Sequence, residues 1–138
     1  DYWEDFRMSV DVKGVHQMLR QIGEKYGEAQ MLKAQDKALN KGSKYFVSVL
    51  KANFEVFRDT GASIHEVSVT DPYYVHGKTR MVKVHWHGSM NRYAIIHLNE
   101  WGTIKNPNPR GKGAIARTMF MTERPFREII KQSLEGDL

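Results

Sequence analysis

Residues 28–57 read EAQMLKAQDKALNKGSKYFVSVLKANFEVF. Leu32, Leu39, Phe46, Val49, Leu50 and Phe57 recur along this stretch, with Ala38, Gly42 and Tyr45 beside them. That spacing predicts one long amphipathic helix whose apolar stripe faces a core. Such a stripe is a seam between elements rather than a ligand box. Gly42, midway along it, either admits a neighbouring element closely or marks a weak point, since a helix-interior glycine costs about 1 kcal/mol relative to alanine. Asp59-Thr60-Gly61 ends the helix, with the glycine supplying the permissive backbone a turn requires.

Upstream, Gly14 leads into Val15, Met18, Leu19 and Ile22, whose spacing predicts a short amphipathic helix. Gly23 and Gly27 bracket Tyr26 and are expected to break it. Met8–Val12 reads as a short N-terminal strand. Residues 1–7 do not match the rest of the chain and are expected to be an N-terminal extension to a single domain at 8–138. Trp3-Glu4-Asp5 can be encoded by a purine-rich stretch containing GGAGG, a bacterial ribosome-binding sequence, so translation is expected to begin at Met8.

Downstream come two alternating runs, Ile64, Glu66, Val67, Val69 and then Met81, Val82, Val84, Trp86. They predict an antiparallel strand pair, with residues 71–78 as a protruding tip. Asn91 suits an N-cap, so Tyr93–Leu98 is expected to form a short helix. Lys105–Gly113 has no apolar residue and reads as a projecting arm. From Ala114 the pattern is helical again through Ile115, Met119, Phe126, Ile129, Ile130 and Leu134, with Pro125 expected to kink or restart it. The predicted fold class is α+β, a long N-terminal helix and a C-terminal helix packed on a small antiparallel sheet.

Bulk properties narrow the function. A chain of 138 residues with 41% apolar and 27% charged residues suits one globular domain. No apolar run approaches the roughly 18 residues of a membrane span. The opening residues hold no apolar h-region, so no secretory signal is expected. The absence of cysteine excludes disulfides and thiolate metal sites, and fits an intracellular origin. The net charge of +5 reflects Lys and Arg interspersed with acids over most of the chain. Between Lys105 and Arg117, however, Arg110 and Lys112 add charge with no intervening carboxylate, which suits DNA or an acidic partner surface.

Catalytic signatures are missing from the sequence. Ser89 follows Gly88 but leads into Met90-Asn91 rather than a nucleophile elbow, and Gly111-Lys112-Gly113 is a fragment of no phosphate loop. His85 and His87 would share a strand face, and His97 with Glu100 could add ligands, but the set follows no recognised metal spacing. The expectation is therefore a non-enzymatic chain with no cofactor and no resident metal. Trp101, Gly102, Lys105, Arg110, Lys112 and Arg117 are the candidate partner-binding residues.

The order of features resembles a known family. Val10-Asp11-Val12-Lys13-Gly14 precedes a long helix ending in Asp59-Thr60-Gly61-Ala62-Ser63-Ile64; two strands come next, then Glu100-Trp101-Gly102-Thr103 and a C-terminal helix. This is similar to the tail-completion, or minor tail component, family of long-tailed bacteriophages (gene-product-ten-like head–tail joining proteins), over nearly all of Met8 to Leu134. The resemblance makes Thr60, Gly61, Glu100, Gly102 and Thr103 structural motif residues. It implies a structural virion protein at the head–tail junction, present in the host cytoplasm during assembly. Implied partners are a tail terminator or tail-tube protein and the head–tail connector, with a six-fold ring, non-specific DNA contact and no membrane. The alternative reading is a small basic nucleic-acid-binding module.

Overall fold

A computed structural model describes residues 12–57, 67–87, 93–105 and 113–138. Helix α1 (Val12–Tyr26) and helix α2 (Glu28–Phe57) meet at Gly27. The φ of 94° there is a left-handed backbone conformation that residues with a Cβ resist. The predicted long helix runs over the whole of its expected span. Two N-terminal expectations are corrected. Val12 opens α1 instead of closing a strand, and Gly23 lies inside that helix, leaving Gly27 alone to break it. Residues 8–11, and the helix end expected at Asp59-Thr60-Gly61, fall outside the described residues.

The strands are β1 (Ser68–Val69), β2 (Tyr73–Val75), β3 (Thr79–His87), β4 (Tyr93–Asn99) and β5 (Ile104–Lys105). They form an antiparallel sheet ordered β1-β3-β4-β5, with β2 beside β1 on the same flank of β3. The expected strand pair is present. Its tip is shorter than predicted because Tyr73–Val75 pairs with Thr79–Met81. Only His76–Lys78 remains as a turn, closed by a Lys78 N–H to Val75 carbonyl bond of 3.2 Å, with positive φ at His76 and Gly77.

The main correction is Tyr93–Leu98, which is strand β4 and not a helix. Its register sets Ala94, Ile96 and Leu98 opposite Trp86, Val84 and Val82 of β3, and all six are buried. As a strand, its seven residues pair along their length with β3 while alternate side chains enter the core. A helix of the same length would close barely two turns and would crowd the β-branched pair Ile95-Ile96.

Helix α3 (Ala114–Gly136) carries Pro125 in its interior, so the proline, expected to kink the helix or start a new one, does not start a new one. Proline removes the bond to the carbonyl of Met121, and Met121 lies on the solvent side, where water can satisfy that oxygen. Ala114, Thr118, Thr122, Phe126, Ile130 and Leu134 form a buried row at four-residue spacing. Against α2, the Asn53 amide donates to Thr118 Oγ1 at 2.8 Å. The Thr118 and Thr122 hydroxyls donate to carbonyls one turn back, each at 2.6 Å.

All three helices sit on one side of the sheet, so the core lies between Leu39, Phe46, Leu50, Phe126 and Ile130 above and Val82, Val84, Ile96, Leu98 and Ile104 below. Phe54 meets Trp86 edge-on, with ring centroids 5.7 Å apart. Gly42 proves to be a point of close approach. A Cβ built there would fall 2.3 Å from Phe126 Cε1, so the bare glycine is what lets the ring seat against α2. No helix among the described residues is long and apolar enough to cross a membrane.

Candidate docking surface

The turn from Glu100 to Thr103 joins β4 to β5 and is built around Asn99. The Asn99 side-chain oxygen accepts from the N–H groups of Trp101 and Thr103 at 3.0 and 3.2 Å. The Asn99 backbone N–H donates to the Thr103 carbonyl, and its carbonyl accepts from Gly102 N–H. Gly102 has a φ of 74°, and a Cβ there would lie 3.0 Å from Arg127 Cα. Glycine is required twice over, by the dihedral and by the helix against it.

Glu100 is buried, as are Gly102 and Thr103. The Gln35 amide donates to the Glu100 carboxylate, and the Glu100 N–H donates to the Arg80 carbonyl at 3.0 Å. Arg80 forks onto Asp36 with bonds of 2.8 and 3.0 Å, and its guanidinium lies 4.5 Å from the centroid of the Tyr74 ring. The Asp36 hydrogen bond raises the Arg80 pKa above its ordinary value, against an opposing pull from burial. The acidic member of the motif therefore ties β4 to α2. Trp101 alone in the motif keeps surface, tilted against the His16 ring of α1 at 5.6 Å between centroids.

Two of the predicted cationic residues, Lys105 and Arg117, are among the described residues. Lys105 lies in β5, half-buried, and Arg117 lies on the exposed side of α3's first turns. Arg110, Lys112, Thr60 and Gly61 are outside the described residues. A further feature, missed by motif and charge alone, lies beside Arg117. Arg117, Phe120, Met121 and Arg124 follow the i, i+3, i+4, i+7 pattern and so share one face of α3. Phe120 is 85% exposed and Met121 44%. The signal was available in the sequence, because Phe120 falls off the stripe made by Ile115, Met119, Phe126 and Ile130.

The sheet face opposite the helices carries Met81, Lys83 and His85 from β3, Ile95 and His97 from β4, and Lys105 from β5. His97 stands between Lys83 and Lys105 in the register, with Nδ1 3.0 Å from Met81 Sδ. Burial, then the two lysines, lower its pKa below the ordinary 6.5. The same ammonium groups disfavour a cation at His97. His85 shares this face, the His87 side chain lies outside the described set, and no three His, Asp or Glu residues among those described could hold a metal.

Phe120 is thus an exposed aromatic between two cations on a helix packed against α2, the kind of side chain that protein contacts bury. No family model, no curated protein and no solved structure matches the chain.

Proposed function

We propose that the chain is a structural virion protein of a long-tailed bacteriophage, completing the tail at the head–tail junction and helping to join it to the capsid connector. The ordered motifs from Met8 to Leu134 support this reading, and so does the use of Glu100, Gly102 and Thr103 as buried supports for a turn. The observation that carries it is the α3 patch, Phe120 projecting between Arg117 and Arg124. Covering one such phenylalanine is worth about 2–3 kcal/mol, enough for a contact that is weak alone and firm when repeated around a ring. The flanking arginines favour an acidic partner rim.

Complementation in extracts tests the idea. Heads and tails from the parent phage lacking this gene should join when the purified protein is added, as counted by negative-stain electron microscopy. Phe120→Asp and the pair Arg117→Glu with Arg124→Glu should fail to support joining while keeping native circular dichroism. Normal joining without the protein would refute the proposal.

A second reading, DNA binding, is favoured by one observation. Lys83, His85, His97 and Lys105 share a sheet face, and no described strand residue is acidic. It requires duplex affinity that falls steeply with salt and drops on Lys83→Glu. Salt-insensitive or absent binding removes it.

A further inference from the structure

A groove lies where the sheet's outer edge faces α2. It has a volume of about 470 Å³ and is walled by Lys44, Val47, Ser48 and Lys51 of α2 and by Val69 and Thr70 at β1. Lys44, Val47, Ser48 and Lys51 fall at i, i+3, i+4 and i+7, so a single helical face looks across at the strand.

Among the described residues, the strand opposite has no neighbour on its far side. Thr70 N–H donates to the Lys83 carbonyl at 3.0 Å, and Lys83 N–H donates to Thr70 Oγ1 at 2.9 Å. Antiparallel pairing alternates between inward and outward backbone groups, so the intervening Val69 N–H and C=O turn away from β3. No described strand pairs with that side. Val69 is registered with the buried Val84 and so points toward α2, yet it remains 41% exposed. An apolar side chain and an outward peptide group thus open onto the same groove.

We propose that this groove receives an extended segment of a partner protein as an added β-strand, with a β-branched side chain over Val47 and Val69 and carboxylates toward Lys44 and Lys51. Backbone pairing along β1 supplies register, and the helix supplies side-chain selection. Seven helical residues place Lys44 and Lys51 about 10 Å apart along α2. Carboxylates four residues apart on one side of a strand stand about 13 Å apart, a mismatch that two long lysine side chains absorb. The favoured pattern is acidic–x–β-branched–x–acidic. Asp71 is the groove's own carboxylate, and beyond it Pro72, which lacks an N–H, limits how far the added strand can pair. This inference concerns a different surface from the α3 patch and does not depend on the virion assignment.

The test is a nitrogen-15 NMR titration of the full chain with the blocked peptide Thr-Glu-Thr-Val-Thr-Glu-Thr. Amide shifts should concentrate at Val69 and between Lys44 and Lys51. The pair Lys44→Glu with Lys51→Glu, both exposed positions, should weaken binding by about tenfold. An N-methylated valine in the peptide, which removes a strand donor, should weaken it comparably. Absence of shifts at Val69 with peptide in the millimolar range would overturn the proposal, as would binding that survives both changes.

Discussion

Replacing Gly42 by alanine sets two effects of opposite sign against each other. Alanine in a helix interior is favoured over glycine by about 1 kcal/mol, so propensity alone predicts a more stable protein. The new Cβ, however, would stand 2.3 Å from Phe126 Cε1 and 2.7 Å from Cδ1, far inside contact distance. Phe126 is fully buried on α3 and has no solvent-facing direction in which to retreat. Forcing an extra carbon into such a seam costs about 1–3 kcal/mol, toward the upper end where a ring is trapped between helices. We therefore expect Gly42→Ala to lower stability by about 1–2 kcal/mol in urea denaturation followed by circular dichroism. The sign should reverse once the ring is gone. Phe126→Ala alone should cost about 3–5 kcal/mol, and adding Gly42→Ala to it should recover roughly 0.5–1 kcal/mol as helix propensity acts unopposed. A double-mutant cycle then reads about 1.5–3 kcal/mol of coupling between these positions. A neutral or stabilising Gly42→Ala in the wild-type background would refute the close-approach argument.

Three further outcomes are expected. Asn99→Ala deprives the Trp101 and Thr103 N–H groups of their shared acceptor; it should cost about 1–3 kcal/mol by chemical denaturation, whereas Asn99→Asp, which keeps an acceptor oxygen, should cost less. His97 has a folded pKa below its ordinary 6.5, so the unfolded chain takes up its proton first as pH falls. The stability that His97 contributes is complete above about pH 6.5 and is lost as pH drops through and below that value toward the depressed folded pKa. Urea midpoints across this window should fall less steeply in His97→Gln, and identical slopes would contradict the assignment. Phe120→Ser should change stability by less than about 0.5 kcal/mol, because the ring is mostly in water already; a large loss would mean that Phe120 is part of the fold rather than a docking element.

The sequence by itself determined the elements whose signal is long and periodic. The stripe from Leu32 onward defines α2 and the recurrence from Ile115 defines α3, because each spans several turns and a helix is the only local structure with that period. Met81 to Trp86 alternates cleanly enough to read as a strand. The Glu-Trp-Gly-Thr segment stood out in the sequence as a motif, but not the direction of its members, since burial of Glu100 depends on Gln35 and that of Gly102 on Arg127, both distant in the chain.

Only tertiary structure decided the rest. Tyr93 to Asn99 is too short for its period to discriminate, and it became a strand because β3 offers unpaired backbone along its whole length. Gly42 was ambiguous until Phe126 arrived from another helix to occupy the space a side chain would need. Pro125 could remain inside α3 because the carbonyl it deprives belongs to a residue on the water side. Local pattern fixes which conformations a segment can adopt at low cost; contacts between remote segments choose among them.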